Sequence, residues 1–161
     1  MKIISNSSPL VNFTALGQLQ LLPQLYGAIV IPEAVYQEVV VAGRGYPGRA
    51  TLAQADWLVC ERVSDRTAVA ALSSLGRGEA EAVVLVVENP GALLLMDDRR
   101  GRLAALNLGV NIIGTVGVLL VAKKKGLIPV IASEIERLQT EVGFRLREDL
   151  KVRVLREAGE G

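Results

Sequence analysis

The sequence predicts an α/β fold: one domain built on a parallel β-sheet flanked by helices, with a helical C-terminal extension. Three observations carry that expectation. Short aliphatic runs alternate with helix-spaced apolar segments through most of the 161 residues. The connections are short, which favours right-handed βαβ units and a parallel sheet. The apolar half of the chain is rich in Val, Leu, Ile and Ala, with 4% aromatic residues, as strands covered on both faces require.

The elements follow in order. Residues 2–5 read as a first buried strand, and Asn6-Ser7-Ser8-Pro9 turns the chain into a helix, Ser and Pro suiting its cap and first turn. Residues 10–26 have helical spacing, broken into pieces by Gly17 and Pro23. Residues 28–31 form a second strand, and Pro32 opens a helix through Val39. The Gly-dense stretch 43–49, carrying Arg44 and Arg49, is a loop. Residues 57–63 suit an edge strand, 79–88 a strongly apolar helix, 92–96 a strand ending at Asp97-Asp98, 99–107 a helix and 110–113 a strand. Helices over 116–125, 132–142 and 147–158 complete the chain.

Composition removes several chemistries. The chain has no histidine, so Ser-His-Asp and Cys-His catalysis and imidazole proton shuttles are excluded. Its one cysteine, Cys60, excludes an intrachain disulfide and a CxxC site; within the apolar run Trp57-Leu58-Val59-Cys60 it reads as a buried thiol. Eighteen basic against 17 acidic residues give a net charge of +1, so any basic surface must be local. No apolar run reaches the roughly 18 residues that cross a bilayer, and the first residues lack a signal-peptide core. A cytoplasmic protein without membrane contact is expected. No Gly-Lys-Ser/Thr follows a glycine loop, and Gly76-Arg77-Gly78 lacks the dinucleotide spacing.

Ligands of open parallel sheets bind beyond the carboxyl ends of the strands. Two places qualify: Asn6-Ser7-Ser8 and Asp97-Asp98. Adjacent carboxylates repel unless a cation or base lies nearby, and Arg99 and Arg100 follow directly. Glu79 and Glu81 begin a helix, where dipole complementarity is the simple account. Glu38 lies between Val35 and Val39, where a solvated face is the simple account. Taken together, carboxylates around one sheet edge suit a hard divalent cation, Mg²⁺ or Mn²⁺, and a metal-activated water is the hydrolytic route left without histidine. The run Lys123-Lys124-Lys125 ends a helix and complements its dipole.

The series Asn6-Ser7-Ser8-Pro9-Leu10, Ile31-Pro32-Glu33-Ala34-Val35-Tyr36-Gln37-Glu38-Val39, Gly78-Glu79-Ala80-Glu81-Ala82 and Leu95-Met96-Asp97-Asp98-Arg99-Arg100 resembles a PIN-domain protein. The C-terminal part is similar to one prokaryotic PIN-like branch: Gly114-Thr115-Val116-Gly117-Val118-Leu119-Leu120, Ala122-Lys123-Lys124-Lys125-Gly126-Leu127-Ile128, Gly143-Phe144-Arg145 and Leu155-Arg156-Glu157-Ala158-Gly159-Glu160. The resemblance divides the chain into a PIN-like domain, 1–125, and a helical extension, 126–161, packing on the same domain.

The resemblance implies an Mg²⁺- or Mn²⁺-dependent endoribonuclease, including the VapC-like toxin halves of toxin–antitoxin pairs, with Glu38, Glu81 and Asp98 as catalytic residues. It implies a metal site drawn from Asn6, Glu38, Glu81, Asp97 and Asp98. Glu79 is the alternative to Glu81, and the fourth acidic position falls on Asp98 or Asp97. Ser7 matches a small hydroxyl residue at the substrate side, and Arg99, Arg100 and Arg102 suit substrate phosphates, with helix-surface salt bridges as the equal account. RNA, single-stranded or structured, a small antitoxin and a second copy of the chain are the implied partners. The first position departs from the family pattern: Asn6 stands where aspartate is usual, which keeps an oxygen ligand and removes a charge. Two readings follow, a metal-dependent ribonuclease and a catalytically inactive module that binds RNA or an antitoxin.

Overall fold

The computed structural model describes residues 1–41 and 48–161. The expected loop at 43–49 therefore lies mostly outside the described residues. Strands β1 (Ile3–Ser5), β2 (Ile29–Pro32), β3 (Leu58–Glu61), β4 (Leu93–Leu95) and β5 (Asn111–Ile113) form one sheet in the order β3-β2-β1-β4-β5. Every pairing is parallel. The expected parallel α/β fold is what forms, with shorter strands than the apolar runs suggest.

Helices α1 (Ser7–Ala15), α2 (Leu21–Tyr26), α3 (Glu33–Tyr36), α4 (Arg49–Ala53), α5 (Arg66–Ala71), α6 (Arg77–Val87), α7 (Arg99–Asn107), α8 (Thr115–Lys124), α9 (Ala132–Arg137) and α10 (Glu148–Glu157) surround it. The expected break at Gly17 is real, because the chain takes a left-handed turn there (φ 68°) that L side chains resist. Two expected helices change pitch instead of running straight. α3 continues as a π-helical turn, Gln37–Val41, and α9 as another, Leu138–Val142. π-turns inside helices concentrate at functional sites, and the first of these carries Glu38.

Strand periodicity assigns the two cores. Ile3, Ile29, Ile31 and Leu95 face the layer of Leu10, Phe13, Leu22, Val118 and Leu119, while Ile4, Val30, Leu94 and Met96 face the α6 residues Ala82 to Val86. α6 is buried nearly all round, which explains its weak amphipathicity: the sheet, α3, α5 and α7 enclose it. Ile128, Ile131, Ile135, Leu138 and Val154 belong to the same core as Ile3. The chain end is also held electrostatically. Glu160 accepts from the amides of Ile131 at 2.8 Å and Ala132 at 3.0 Å and pairs with Lys123 at 3.1 Å. Lys123 thus has a specific partner beyond the dipole role its position suggested.

Cys60 corrects the sequence reading. β3 is an edge strand and its thiol is exposed, not buried. Partial desolvation, then the Glu33 and Glu81 carboxylates, push its pKa up, so it stays a protonated thiol. Among the described residues, no helix is long and apolar enough to cross a membrane.

Candidate active site

β1 lies at the centre of the sheet. The chain proceeds from it to β2 and β3 on one side, then returns to β4 and β5 on the other. Such a switch point leaves a crevice at the carboxyl ends of the central strands. Asn6 follows β1 there, anchored by its amide to the Leu95 carbonyl at 3.2 Å, and Asp97 follows β4.

Asn6 is 2% exposed, and among the described residues its Oδ1 has no hydrogen-bond partner. It occupies the cap position of α1, yet its side chain makes no capping bond. A buried amide oxygen left unpaired costs about 1–3 kcal/mol, and such atoms are rare in native proteins. A ligand accepting that lone pair removes the cost.

The next residue brings in the second element. Ser7 Oγ hydrogen-bonds Glu38 Oε2, joining the start of α1 to the π-turn after α3. Glu38 also packs on the start of α6: a side chain at Gly78 would collide with Glu38 Oε1. Glycine is needed at 78 for that approach. Glu79, the next residue, folds its carboxylate over Gly76.

Asp97 is held by three neutral donors. Its Oδ1 accepts from the Thr115 amide at 2.8 Å, and its Oδ2 accepts from Thr115 Oγ1 and from Asn12 Nδ2 at 3.1 Å. Asn12 also donates to Thr115 Oγ1 at 3.2 Å. Gly114 makes room, since a Cβ there would sit 2.8 Å from Asp97 Oδ1. Asp98 does different work: its Oδ1 accepts from the Gly101 amide at 2.8 Å and caps α7. The two adjacent aspartates thus relieve their repulsion on separate donors, not on Arg99 and Arg100.

Glu81 is committed elsewhere. It is 1% exposed; Oε1 accepts from the Ala34 amide at 3.0 Å, and Oε2 from Arg66 at 3.1 Å and Arg77 at 3.3 Å. It caps α3 from beneath and pins two arginines. Arg99 and Arg100 are exposed at the start of α7. Arg100 donates to the Ser74 carbonyl at 3.4 Å and Arg102 to the Met96 carbonyl at 3.1 Å. Among the described residues none of the three forms an ion pair.

The structure therefore gathers Asn6, Ser7, Glu38 and Gly78 into one corner and fixes Asp97 at the neighbouring strand end. Among the described residues, no three acidic side chains form a ready cation cage. The donor chemistry nonetheless fits a hard divalent cation: the unpaired buried amide oxygen of Asn6, the hydroxyl of the next residue and the Glu38 carboxylate that it holds are all oxygen donors. Sequence reasoning missed Asn12, Thr115 and Gly78, the residues that place Glu38 and Asp97. The signal for Thr115 was available, since it opens a helix directly after a strand of the same sheet. Asn12 has none beyond a polar residue on the inward face of α1.

A family model described as a PIN domain matches residues 2–160. No curated protein and no solved structure matches the chain. The match spans nearly the whole sequence, and the five-stranded parallel sheet with its crevice at the central strand ends accords with it; the chain belongs to the PIN-domain family.

Proposed function

We propose that the chain is a divalent-metal-dependent endoribonuclease, with Mg²⁺ or Mn²⁺ held by Asn6 Oδ1, Glu38 and Asp97. The unpaired, buried Asn6 Oδ1 carries this reading. Glu79, beside the glycine on which Glu38 packs, is the further acidic group we assign to the site; Asp98 is turned to the α7 cap, and Glu81 is matched by two arginines. A cation bound there supplies a water of lowered pKa and positive charge against the phosphate.

The chain's own residues do the remaining work. Ser7 holds one oxygen of Glu38 and leaves Oε1 to accept the proton of the attacking water. Asn12 and Thr115 fix the orientation of Asp97, so it needs no reorganisation when substrate arrives. Arg99 and Arg100, exposed beside Asp98, meet substrate phosphates. The family resemblance supports a setting as the toxin half of a toxin–antitoxin pair, acting as a homodimer on cytoplasmic RNA.

A second reading has its own observation. Asn6 brings no charge to the ion, and Asp97 already accepts three hydrogen bonds, which suits an inactive PIN scaffold that binds RNA or an antitoxin. Cleavage of a single-stranded RNA by the native chain, Asn6→Asp and Glu38→Gln, in Mn²⁺, Mg²⁺ and EDTA, separates the two. The ribonuclease reading expects EDTA-sensitive cleavage by the native chain and about tenfold tighter metal binding in Asn6→Asp, worth about 1.4 kcal/mol. A silent native chain with an active Asn6→Asp variant establishes the second reading. Silence from both overturns the first.

A further inference from the structure

The geometry points to a second element of substrate recognition: a phosphate-binding subsite for the RNA strand in the arginine-lined cavity beyond β3. The cavity measures ≈ 570 Å³ and is lined by Glu33, Arg62, Val63, Ser64, Arg66 and Arg77. It opens on the same sheet edge as the candidate active site. Glu33 follows β2, Arg62 follows β3, and Arg77 precedes Gly78, on which Glu38 packs. A strand crossing the start of α6 would pass from one to the other.

Its construction suits a phosphodiester. Glu81, buried beneath, holds Arg66 and Arg77 on a single carboxylate oxygen, and Glu33 holds Arg62 at 2.9 Å. Each guanidinium carries five N–H donors, so every one of the three keeps several for a ligand while its position is fixed. Their side chains are 78, 52 and 69% exposed. Three guanidinium groups against two carboxylates leave the cavity positive. Asp65, between the lining residues Ser64 and Arg66, turns its carboxylate to the Ala68 amide, and Glu88 accepts from the Ser64 and Asp65 amides. Planar guanidinium forks match phosphate oxygens bidentately, and the identity of the ligand as RNA rests on the ribonuclease reading.

Arg62 is the residue to test, because its partner Glu33 is half-exposed and its removal leaves the Glu81 network intact. Anisotropy of a fluorescent single-stranded oligoribonucleotide, measured in EDTA across a salt series, reads binding without turnover. Arg62→Ala should weaken binding roughly fivefold near 0.1 M salt and reduce the log–log salt slope by about 0.7, one phosphate contact on a single strand. Arg62→Lys should restore the slope and part of the affinity. With Mn²⁺ present, Arg62→Ala should raise KM and leave kcat unchanged. A native chain that cleaves RNA while Arg62→Ala matches it in affinity, slope and KM overturns the subsite and leaves the ribonuclease reading standing. A native chain that neither binds nor cleaves overturns both. Polyglutamate binding more tightly than RNA, with the preference lost in Arg62→Ala, would give the cavity to an acidic protein partner and overturn the proposal.

Discussion

Two corners of one sheet edge treat their buried oxygens in opposite ways. At the start of α6, Glu81 is 1% exposed and both oxygens are engaged, by a backbone amide and two guanidinium groups. At the end of β1, Asn6 is 2% exposed and its Oδ1 has no partner among the described residues, while Glu38 beside it is exposed and held by a serine hydroxyl. A carboxylate matched by two guanidinium groups stabilises the fold and has its charge already balanced by the protein. An oxygen without partners is a liability in the empty fold and an asset once a cation or substrate arrives. Burial therefore does not separate the acids of this edge; whether protein cations already match their charge does.

The sharpest way to break that comparison is to neutralise one acid in each corner. Glu38→Gln should lower metal-dependent cleavage by about 100-fold or more, since a proton acceptor contributes on that scale. Its melting temperature should stay close to that of the native chain, because the side chain is exposed. Glu81→Gln should do the reverse. Losing a charged acceptor for three donors costs about 2–3 kcal/mol, less than a fully buried pair because both arginines reach solvent. That corresponds to about 5–10 °C for a chain of this size, with cleavage per folded molecule retained. If Glu81→Gln abolishes cleavage at a temperature where it is folded, the assignment of Glu81 to structure is wrong.

The neighbouring aspartates repeat the contrast at smaller scale. Asp97→Asn places an amide against Thr115 and Asn12 donors and removes charge from the site, so stabilisation of the protein by Mn²⁺ should largely disappear along with about 1–3 kcal/mol of stability. Asp98→Ala should remove the α7 cap, about 1 kcal/mol, and leave the Mn²⁺-induced thermal shift in place. Equal loss of the Mn²⁺ shift in both variants would show that Asp98 leaves its cap to reach the metal.

Much of this was legible in the chain, and the failures have two causes. Alternating aliphatic and helix-spaced runs announced the parallel sheet, because strands covered on both faces have to be continuously apolar. Parallel-sheet logic then nominated Asn6-Ser7-Ser8 and Asp97-Asp98 by position alone. Roles set by distant partners stayed hidden. Asp97 is fixed by Asn12, 85 residues away, and Glu81 accepts from the amide of Ala34, 47 residues away, contacts that no local pattern announces. The i,i+4 pair Arg77–Glu81 was a visible hint. Cys60 failed for the opposite reason. The sequence predicts an edge strand over 57–63, which β3 is, but an apolar run does not show which side chains an edge strand leaves to solvent.

Glu160 tests whether Glu81's behaviour is general to capping acids in this fold. Like Glu81 it serves a helix start and a cation, here through two backbone amides and Lys123, but it keeps more contact with water: its side chain is 14% exposed against 1% for Glu81. Desolvation pushes its pKa up, and the Ile131 and Ala132 amides with Lys123 outweigh that, so the folded value lies below the ordinary 4.5. A carboxyl whose pKa is depressed on folding contributes stability that is complete above its unfolded pKa and is lost as pH falls through the folded one. Glu160→Gln should therefore be about 1 kcal/mol less stable than the native chain at pH 7, and the gap should narrow progressively below about pH 4.5. A gap unchanged into strong acid would mean that hydrogen-bond geometry, not charge, is what the carboxylate supplies. Charge would then also be the wrong explanation for the tighter cluster at Glu81, and the distinction between the two corners would rest on geometry alone.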